Sequence, residues 1–265
     1  MSPVSVADLP DVARAAWLDL TEALQRILGD DLVAIWAHGG TTQVADEPHK
    51  GDLDTYVIVA REPDAEAVRA IQAAHDGIAR DAGVEWDAWY VLEADAQRAD
   101  QPFHVFREGS RDTCWAIHRA HWLAGRYVPL HGPAPDQVAV APTWDELEEE
   151  LSRELEHIER HVVEGDTDPF EATYAVLNGS RILHAVETRD VAISKAAAGE
   201  WALEHLSARW HPALQAARRA YVGQATADDA DLLATEMAPF VAFVRETLPL
   251  TEGRPEGTLP SWSGA

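Results

Sequence analysis

The sequence lacks several features that would each point to a broad class of protein. It contains a single cysteine, Cys114, in 265 residues, which excludes an internal disulfide and favours a reducing compartment. It begins without the charged start and long apolar core of a secretory signal. No apolar run approaches the roughly 20 residues that span a bilayer. We therefore expect a cytoplasmic protein that has no membrane partner.

Basic residues are also scarce. The chain has 21 Lys and Arg against 46 Asp and Glu, a formal net charge of −25. Nucleic acids and anionic membranes require a basic surface, so we expect neither as a partner. The same field would attract a cationic small molecule, although solubility alone is a simpler explanation of the charge. The length fits one large domain or two small ones, and an apolar fraction of 46% is sufficient for real cores.

One stretch, from Ile35 to Val59, carries a pattern with chemical content. A short apolar strand ends at Gly39-Gly40, and about a dozen residues later a second apolar strand opens with Asp52 and Asp54. Side chains two apart on a strand project from the same face, so both carboxylates share it. Paired carboxylates repel unless a cation lies between them, and Mg²⁺ prefers such oxygen ligands. Alone, Asp-x-Asp at a strand edge or a Gly-Gly turn is common, but this order of elements is more specific.

That order resembles the nucleotidyltransferase superfamily of the polymerase-beta type. The resemblance implies that the glycine loop holds a nucleotide triphosphate and that the two aspartates hold magnesium. A third predicted strand, Val84 to Leu92, carries Glu85 and Asp87. If this strand lies beside the second one, Asp87 could join the aspartate pair. An ordinary acid at a strand edge remains the alternative.

Along the rest of the chain the pattern changes from mixed to purely helical. The extended passage from Tyr127 to Pro135 predicts a domain boundary. Beyond it, Thr143-x-x-Glu146 forms a capping box, and five predicted helices with short links favour a bundle. We predict an α+β fold in which an N-terminal nucleotidyltransferase domain, a small mixed sheet with helices, is followed by a C-terminal α-helical bundle. The predicted limits are 1–135 for the first domain, 142–250 for the second and 251–265 for a disordered tail.

One predicted helix carries an unexpected polar stripe. Glu171, Tyr174, Asn178 and Arg181 follow at spacings of three, four and three, so they share one helical face. A solvated face would more often carry Lys/Glu pairs. This set is better suited to lining a cleft.

The stripe lies in the segment with the closest resemblance to a known family. Tyr174 to Leu203, Y-A-V-L-N-G-S-R-I-L-H-A-V-E-T-R-D-V-A-I-S-K-A-A-A-G-E-W-A-L, resembles the C-terminal helical domain of the aminoglycoside (3″)(9) adenylyltransferases, which modify streptomycin and spectinomycin. The resemblance continues through Arg218 to Gln224 and reaches back through Val128 to Pro133. It implies a site in the cleft between the two domains, with ATP as co-substrate and Mg²⁺ as cofactor.

By position, the resemblance assigns roles to individual residues. Asp52 and Asp54 match the magnesium pair. Asp87 replaces the catalytic glutamate that acts as general base, and we also count it among the candidate metal ligands. Glu171 replaces an aspartate that contacts the drug, and its neighbours on the stripe complete the candidate substrate contacts. The nucleotide contacts implied are Gly39, Gly40, Arg181, Lys195 and Tyr221, and the candidate substrate contacts are Glu171, Tyr174 and Asn178.

Three departures from the family pattern bear on activity. Gly40 and Gly51 stand where the family has serines, although backbone N–H groups can still hold phosphate. Asp87 is one methylene shorter than glutamate. The tryptophan that streptomycin-using members carry before the Glu171 helix is replaced by His161-Val162-Val163, which favours a spectinomycin-like acceptor over streptomycin.

These observations predict Mg²⁺-dependent transfer of AMP from ATP to a hydroxyl of a cationic aminoglycoside-type antibiotic. The result would be drug inactivation and antibiotic resistance, by an enzyme that we expect to be a monomer. Two alternatives remain open. One is a nucleotidyltransferase with a different acceptor, and the other is a non-catalytic binding protein on the same fold.

Overall fold

A computed structural model describes residues 3–42, 53–164 and 168–248 of the chain. Gly51, Asp52 and the tail predicted for 251–265 lie outside these residues. The chain divides into two compact units, Met1–Glu146 and Leu147–Ala265, which are described separately below. The domain limits 1–135 and 142–250 remain predictions.

The first unit is built on a mixed four-stranded sheet. Its strands are β1 (Leu32–His38), β2 (Leu53–Val59), β3 (Trp86–Leu92) and β4 (Val128–His131). The order across the sheet is β3-β2-β1-β4; β1 is antiparallel to both its neighbours, and β2 and β3 are parallel. The two central strands are almost continuously apolar and buried, as expected where both faces of a sheet are covered.

Two long amphipathic helices cover one face of this sheet. They are α1 (Asp11–Leu28) and α2 (Ala65–Ala82). The Asp64 side chain caps α2 by accepting from the Glu66 and Ala67 N–H groups, and Gly83 ends it with φ +66°. The core on this side joins Leu20 and Leu24 of α1 with Ile35 and Val57 of the sheet and Ile71 of α2.

Shorter helices cover the other face. They are α3 (Glu93–Ala96), α4 (Trp115–Leu123) and α5 (Pro135–Val138). Trp115 and Trp122 of α4 pack against Trp36 and Tyr56, and all four side chains are buried. This aromatic layer lies directly under the strand ends that carry the candidate site.

The second unit is helical throughout its described residues. Its helices are α6 (Trp144–Glu164), which begins just before the unit boundary, α7 (Pro169–Thr188), α8 (Lys195–His205), α9 (His211–Tyr221) and α10 (Ala227–Thr247). Helix α7 packs against α8, α9 and α10. A Cβ atom on Gly179 would lie 3.0 Å from the Phe240 ring, so a glycine at this position allows α7 and α10 to approach closely.

The predicted fold class is confirmed, because a small mixed sheet with helices precedes a helical region. Helix α4 begins at Trp115, after a loop in which the Asp112 side chain accepts from the Cys114 N–H. The extended passage at the predicted boundary contributes β4, and Pro129 is tolerated there because β4 is an edge strand. No helix in the described ranges combines the length and apolarity needed to cross a bilayer.

Candidate active site

Three strand ends bring polar side chains together at one edge of the sheet. His38 pairs with Asp54 across β1 and β2, and Asp54 pairs with Asp87 across β2 and β3. Residues paired across neighbouring strands project from the same face, and the strands lie about 4.8 Å apart. Asp87 was expected to join Asp54 if β3 lay beside β2, and in the structure the two residues are directly paired across these strands.

The glycine loop begins immediately beside Asp54. Gly39 has φ +80°, and a Cβ atom there would lie 1.8 Å from Asp54 Oδ2. The position therefore requires glycine twice, for its backbone conformation and for the close approach of the carboxylate. Gly40 opens a short 3₁₀ turn to Thr42, whose N–H and hydroxyl both donate to the Gly39 carbonyl, at 3.2 and 2.8 Å.

The donor set at this edge fits a hard divalent cation as far as it is described. Asp54 and Asp87 present carboxylate oxygens from adjacent strands on one face, the ligand type that Mg²⁺ prefers. Within 3–42, 53–164 and 168–248, no group of three or more His, Cys, Asp or Glu could hold a metal ion. The third predicted ligand, Asp52, lies outside those ranges.

A cation from the segment between α3 and α4 accompanies the candidate base. Arg107 Nη1 lies 3.7 Å from Asp87 Oδ1, and both side chains are about half exposed, at 49% and 59%. A pair this exposed contributes little to stability. It does place a positive charge beside Asp87, on the edge where a phosphate-bearing substrate would need one. Arg107 was not predicted from the sequence, because nothing in the irregular segment around it indicates which strand it faces.

Behind the paired strand ends lies a buried hydrogen-bonded cluster. The Tyr56 hydroxyl donates to Asp112 and lies 2.5 Å from His118 Nδ1. The His38 ring packs against Tyr56 and His118, each at a centroid distance of 4.9 Å. The cluster joins β1 and β2 to α4 and supports the residue that precedes the glycine loop.

The protonation states in this cluster follow from burial and from its hydrogen bonds. Burial, with the charges of His118 and His121, holds the pKa of His38 well below its usual value, so this imidazole is neutral. Burial and Asp112 raise the pKa of Tyr56, which keeps its hydroxyl a donor. Burial acts to raise the pKa of Asp112, but hydrogen bonds from His118, Tyr56 and the Cys114 N–H outweigh it and lower this pKa.

A cavity of about 460 Å³ lies on the opposite side of the sheet, between α2 and β3. Its walls include His75 of α2 and Trp86 and Tyr90 of β3. These strand residues alternate with Asp87, so the cavity opens on the other face and is separate from the aspartate edge. Arg107 is the shared residue, since it lines the cavity and pairs with Asp87.

In the second unit, α7 carries the predicted polar stripe. Asn178 is buried and its Oδ1 accepts from Arg181 Nη1 at 3.1 Å, which fixes the guanidinium along the helix. Glu171 Oε2 lies 3.9 Å from His161 Nδ1 of α6. Tyr221 is the half-buried last residue of α9. The stripe is therefore partly covered by neighbouring helices, unlike a solvated helix face.

The centre of this stripe is Tyr174. Its hydroxyl donates to Glu154 Oε1 of α6 at 2.8 Å, and Lys195 Nζ of α8 lies 4.8 Å from its ring centroid. Tyr174, a candidate substrate contact, therefore lies against Lys195, a candidate nucleotide contact. Glu154 was missed from the sequence, because α6 is rich in Glu and Arg and resembles a solvated helix.

Comparison with known proteins assigns part of this architecture. Residues 137–247 match the family model described as aminoglycoside adenylyltransferase, C-terminal domain. Among solved structures, a spectinomycin adenyltransferase, AAD(9) from Enterococcus faecialis, crystallised with ATP and spectinomycin, aligns with a TM-score of 0.65 and 13% sequence identity. The alignment covers 86% of this chain and 98% of that one. No curated protein gives a significant sequence match.

These findings bear on different predictions. At 13% identity the structural likeness shows the fold alone. The family match confirms the resemblance predicted from the sequence and, with it, the nucleotidyltransferase class. The roles assigned to individual residues remain predictions.

Proposed function

From the match of residues 137–247 to the aminoglycoside adenylyltransferase C-terminal domain, we propose that the protein transfers AMP from ATP to a hydroxyl of an aminoglycoside-type antibiotic. The single observation that carries the proposal is the edge of the sheet where Asp54 and Asp87 pair beside Gly39. Two carboxylates and a close-approach glycine at one site match the needs of nucleotidyl transfer.

The reaction requires a proton acceptor and a charged environment for the phosphates. The acceptor hydroxyl oxygen attacks the α-phosphorus of ATP, the bond from that phosphorus to the bridging oxygen breaks, and pyrophosphate leaves. In the proposed mechanism, the Asp87 carboxylate takes the hydroxyl proton as general base. Arg181 and Lys195 bind the phosphates, with the Arg181 guanidinium held in place by Asn178.

We propose Mg²⁺ as the cofactor, held by Asp52, Asp54 and Asp87. When bound, it would neutralise phosphate charge and polarise the α-phosphate. Asp54 presents an oxygen beside the Gly39 backbone, where the triphosphate loop begins. Asp87 is the paired carboxylate on the next strand.

For the acceptor we propose a cationic aminocyclitol of the spectinomycin type rather than streptomycin. Glu171 and Tyr174 lie on one face of α7 and offer a carboxylate and an aromatic ring to ammonium groups. The absence of the streptomycin-associated tryptophan before α7 supports the preference, and the structural neighbour is itself a spectinomycin adenyltransferase. The scarcity of cysteine supports a cytoplasmic location.

The test is adduct formation by the purified protein. With ATP, MgCl₂ and spectinomycin we expect pyrophosphate release and a drug product heavier by one AMP, detected by mass spectrometry. EDTA should stop both, and so should Asp54→Asn. Streptomycin should be a poor acceptor. ATP binding without adduct formation on any aminoglycoside would favour a different acceptor, and absence of ATP binding would favour a non-catalytic binding protein.

A further inference from the structure

Three helices of the second unit meet at one aromatic ring. Tyr174 lies on α7, its hydroxyl donates to Glu154 Oε1 of α6 at 2.8 Å, and Lys195 Nζ of α8 lies 4.8 Å from its ring centroid. The ring is thus held at its oxygen by an anion while its face is approached by a cation. Neither Glu154 nor this contact is part of the proposed reaction described above.

The two contacts reinforce each other physically. A phenol that donates to a carboxylate makes a charge-assisted hydrogen bond, which is stronger than a neutral one. Such a bond also shifts electron density toward the ring, and a more electron-rich face attracts an ammonium more strongly. The hydrogen bond holds the hydroxyl oxygen in place, and because a phenol O–H prefers to lie in the plane of its ring, it also favours the ring orientation that Lys195 meets.

The surroundings of the ring support a built position. The His157 ring of α6 lies 6.3 Å from Tyr174, and the exposed Phe170 ring lies 6.5 Å away. Glu154 itself is partly buried on α6. A carboxylate in this setting is held in one orientation more firmly than a solvated one.

We propose that Glu154 is a positioning residue, which holds Tyr174 against Lys195 and so prepares the Lys195 ammonium to bind the nucleotide phosphates. The inference rests on the proposed function, in which Lys195 contacts ATP. Glu154 acts through Tyr174 and need not touch either substrate. Its importance lies in coupling the face of α7 that would bind the acceptor to a nucleotide contact on α8.

A double-mutant cycle tests this assignment. The variants are Glu154→Leu, Tyr174→Phe and the two combined. Each single change should raise the KM for ATP by roughly two- to tenfold, the effect of one lost hydrogen bond, with kcat at saturating ATP close to wild type. The double variant should be no worse than either single variant, because both remove the same contact.

Two further variants separate positioning from other roles. Glu154→Gln keeps an oxygen that can accept from Tyr174, so its KM for ATP should return most of the way to the wild-type value. Glu149→Leu, an exposed site on the same helix, is the matched control and should leave KM unchanged. Thermal unfolding of every variant checks that each one folds.

The outcomes separate this inference from the proposed function. If wild type forms no drug adduct, the proposed function fails, and the same cycle is then measured as the Kd of ATP by calorimetry. The positioning role is overturned if the two single effects add, or if Glu154→Gln is as damaging as Glu154→Leu. An effect confined to the KM of the acceptor would overturn it as well and would make Glu154 a ligand for the drug's ammonium groups.

Discussion

At the scale of single residues, the length of the side chain of Asp87, the proposed general base, is the first feature to test. Asp87 lies at the start of β3, in register with Asp54 and beside Arg107. We expect Asp87→Asn to lower kcat/KM by about 10²- to 10⁴-fold, the usual contribution of a positioned general base. Asp87→Glu, which restores the family's residue, should keep measurable activity.

The control for this prediction is Glu85→Gln. Glu85 is exposed and lies one residue before β3. Its replacement by Gln therefore removes a neighbouring carboxylate that is not part of the Asp54–Asp87 pair. Pyrophosphate release under identical conditions provides the comparison. Equal losses from Glu85→Gln and Asp87→Asn would show that net charge near the strand, rather than a specific base, determines the rate.

A second prediction concerns the glycine that contacts Asp54. Gly39→Ala forces a side chain into a left-handed conformation, at a cost of about 1–2 kcal/mol, and places its Cβ where Asp54 Oδ2 lies. We expect moderate destabilisation and nearly complete loss of activity, since the carboxylate must move. Urea denaturation and adduct formation measure the two effects.

Gly83→Ala is the matched control for that change. Gly83 also has positive φ, at +66°, but nothing lies within 4 Å of its added Cβ. It should cost comparable stability and leave the specific activity of the folded protein unchanged. If Gly39→Ala retains full activity per folded molecule, the proposed role of the Asp54 edge is wrong.

The sequence predicts part of this edge and misses the rest for a physical reason. Strand periodicity and the family pattern predict Asp54 and Asp87, because both depend on local spacing. The support behind them depends on distant contacts, since Asp112 is separated from Tyr56 by 56 residues and lies in an irregular loop. The abundance of histidine and tryptophan in α4 is the one local signal that could have indicated a polar aromatic layer. Glu154 is missed in the same way, because its partner lies on another helix.

At the scale of elements, the packing of α2 on β3 includes a titratable contact. His75 Nε2 of α2 lies 2.7 Å from the Tyr90 hydroxyl of β3. Burial, assisted by the charge of Arg107, lowers the pKa of His75 to about 4. Since an unfolded histidine titrates near 6.5, the unfolded state binds a proton that the folded state does not between these values.

This difference predicts how stability changes with pH. The stability that the neutral His75 contributes to the folded state is present above pH 6.5. It is lost as the pH falls toward 4, because protonation of the unfolded chain then favours unfolding. For His75 the loss between pH 7 and pH 5 is about 2 kcal/mol. We expect His75→Gln, which can still hydrogen-bond Tyr90, to remove that part of the acid destabilisation.

Urea denaturation at pH 7 and pH 5 measures this effect. Burial also lowers the pKa of His104 to about 4. The stability of the His75→Gln variant should therefore still fall somewhat between pH 7 and pH 5. His205→Gln, at an exposed site on α8, should reproduce the wild-type pH dependence. A His75→Gln variant with the full wild-type slope would contradict the assignment of a neutral, buried His75 in the fold.

Elements were predicted more completely than their contacts. The capping box and the apolar periodicity predicted five helices beyond residue 142, and five are found there in the described residues, since these signals lie within each helix. The predicted extended passage at Val128 proved to be an edge strand, which the adjacent proline concealed. Strand pairing depends on residues from separate parts of the chain, and local pattern does not encode it.

At the scale of the whole molecule, the formal net charge of −25 predicts opposite effects of salt on the two proposed substrates. A negative field raises the local concentration of a cationic drug and lowers that of an anionic nucleotide. Salt shortens the reach of this field, from about 10 Å at 0.1 M to about 3 Å at 1 M. Raising NaCl from low to high concentration should therefore raise the KM for the aminoglycoside on the order of threefold and lower the KM for ATP.

Steady-state kinetics across a salt series measures both, and a series in sucrose of equal osmolality controls for water activity. Movement of both constants in the same direction would indicate a general effect of salt on the fold, whereas divergence would show that the acidic composition of the chain contributes to substrate selection.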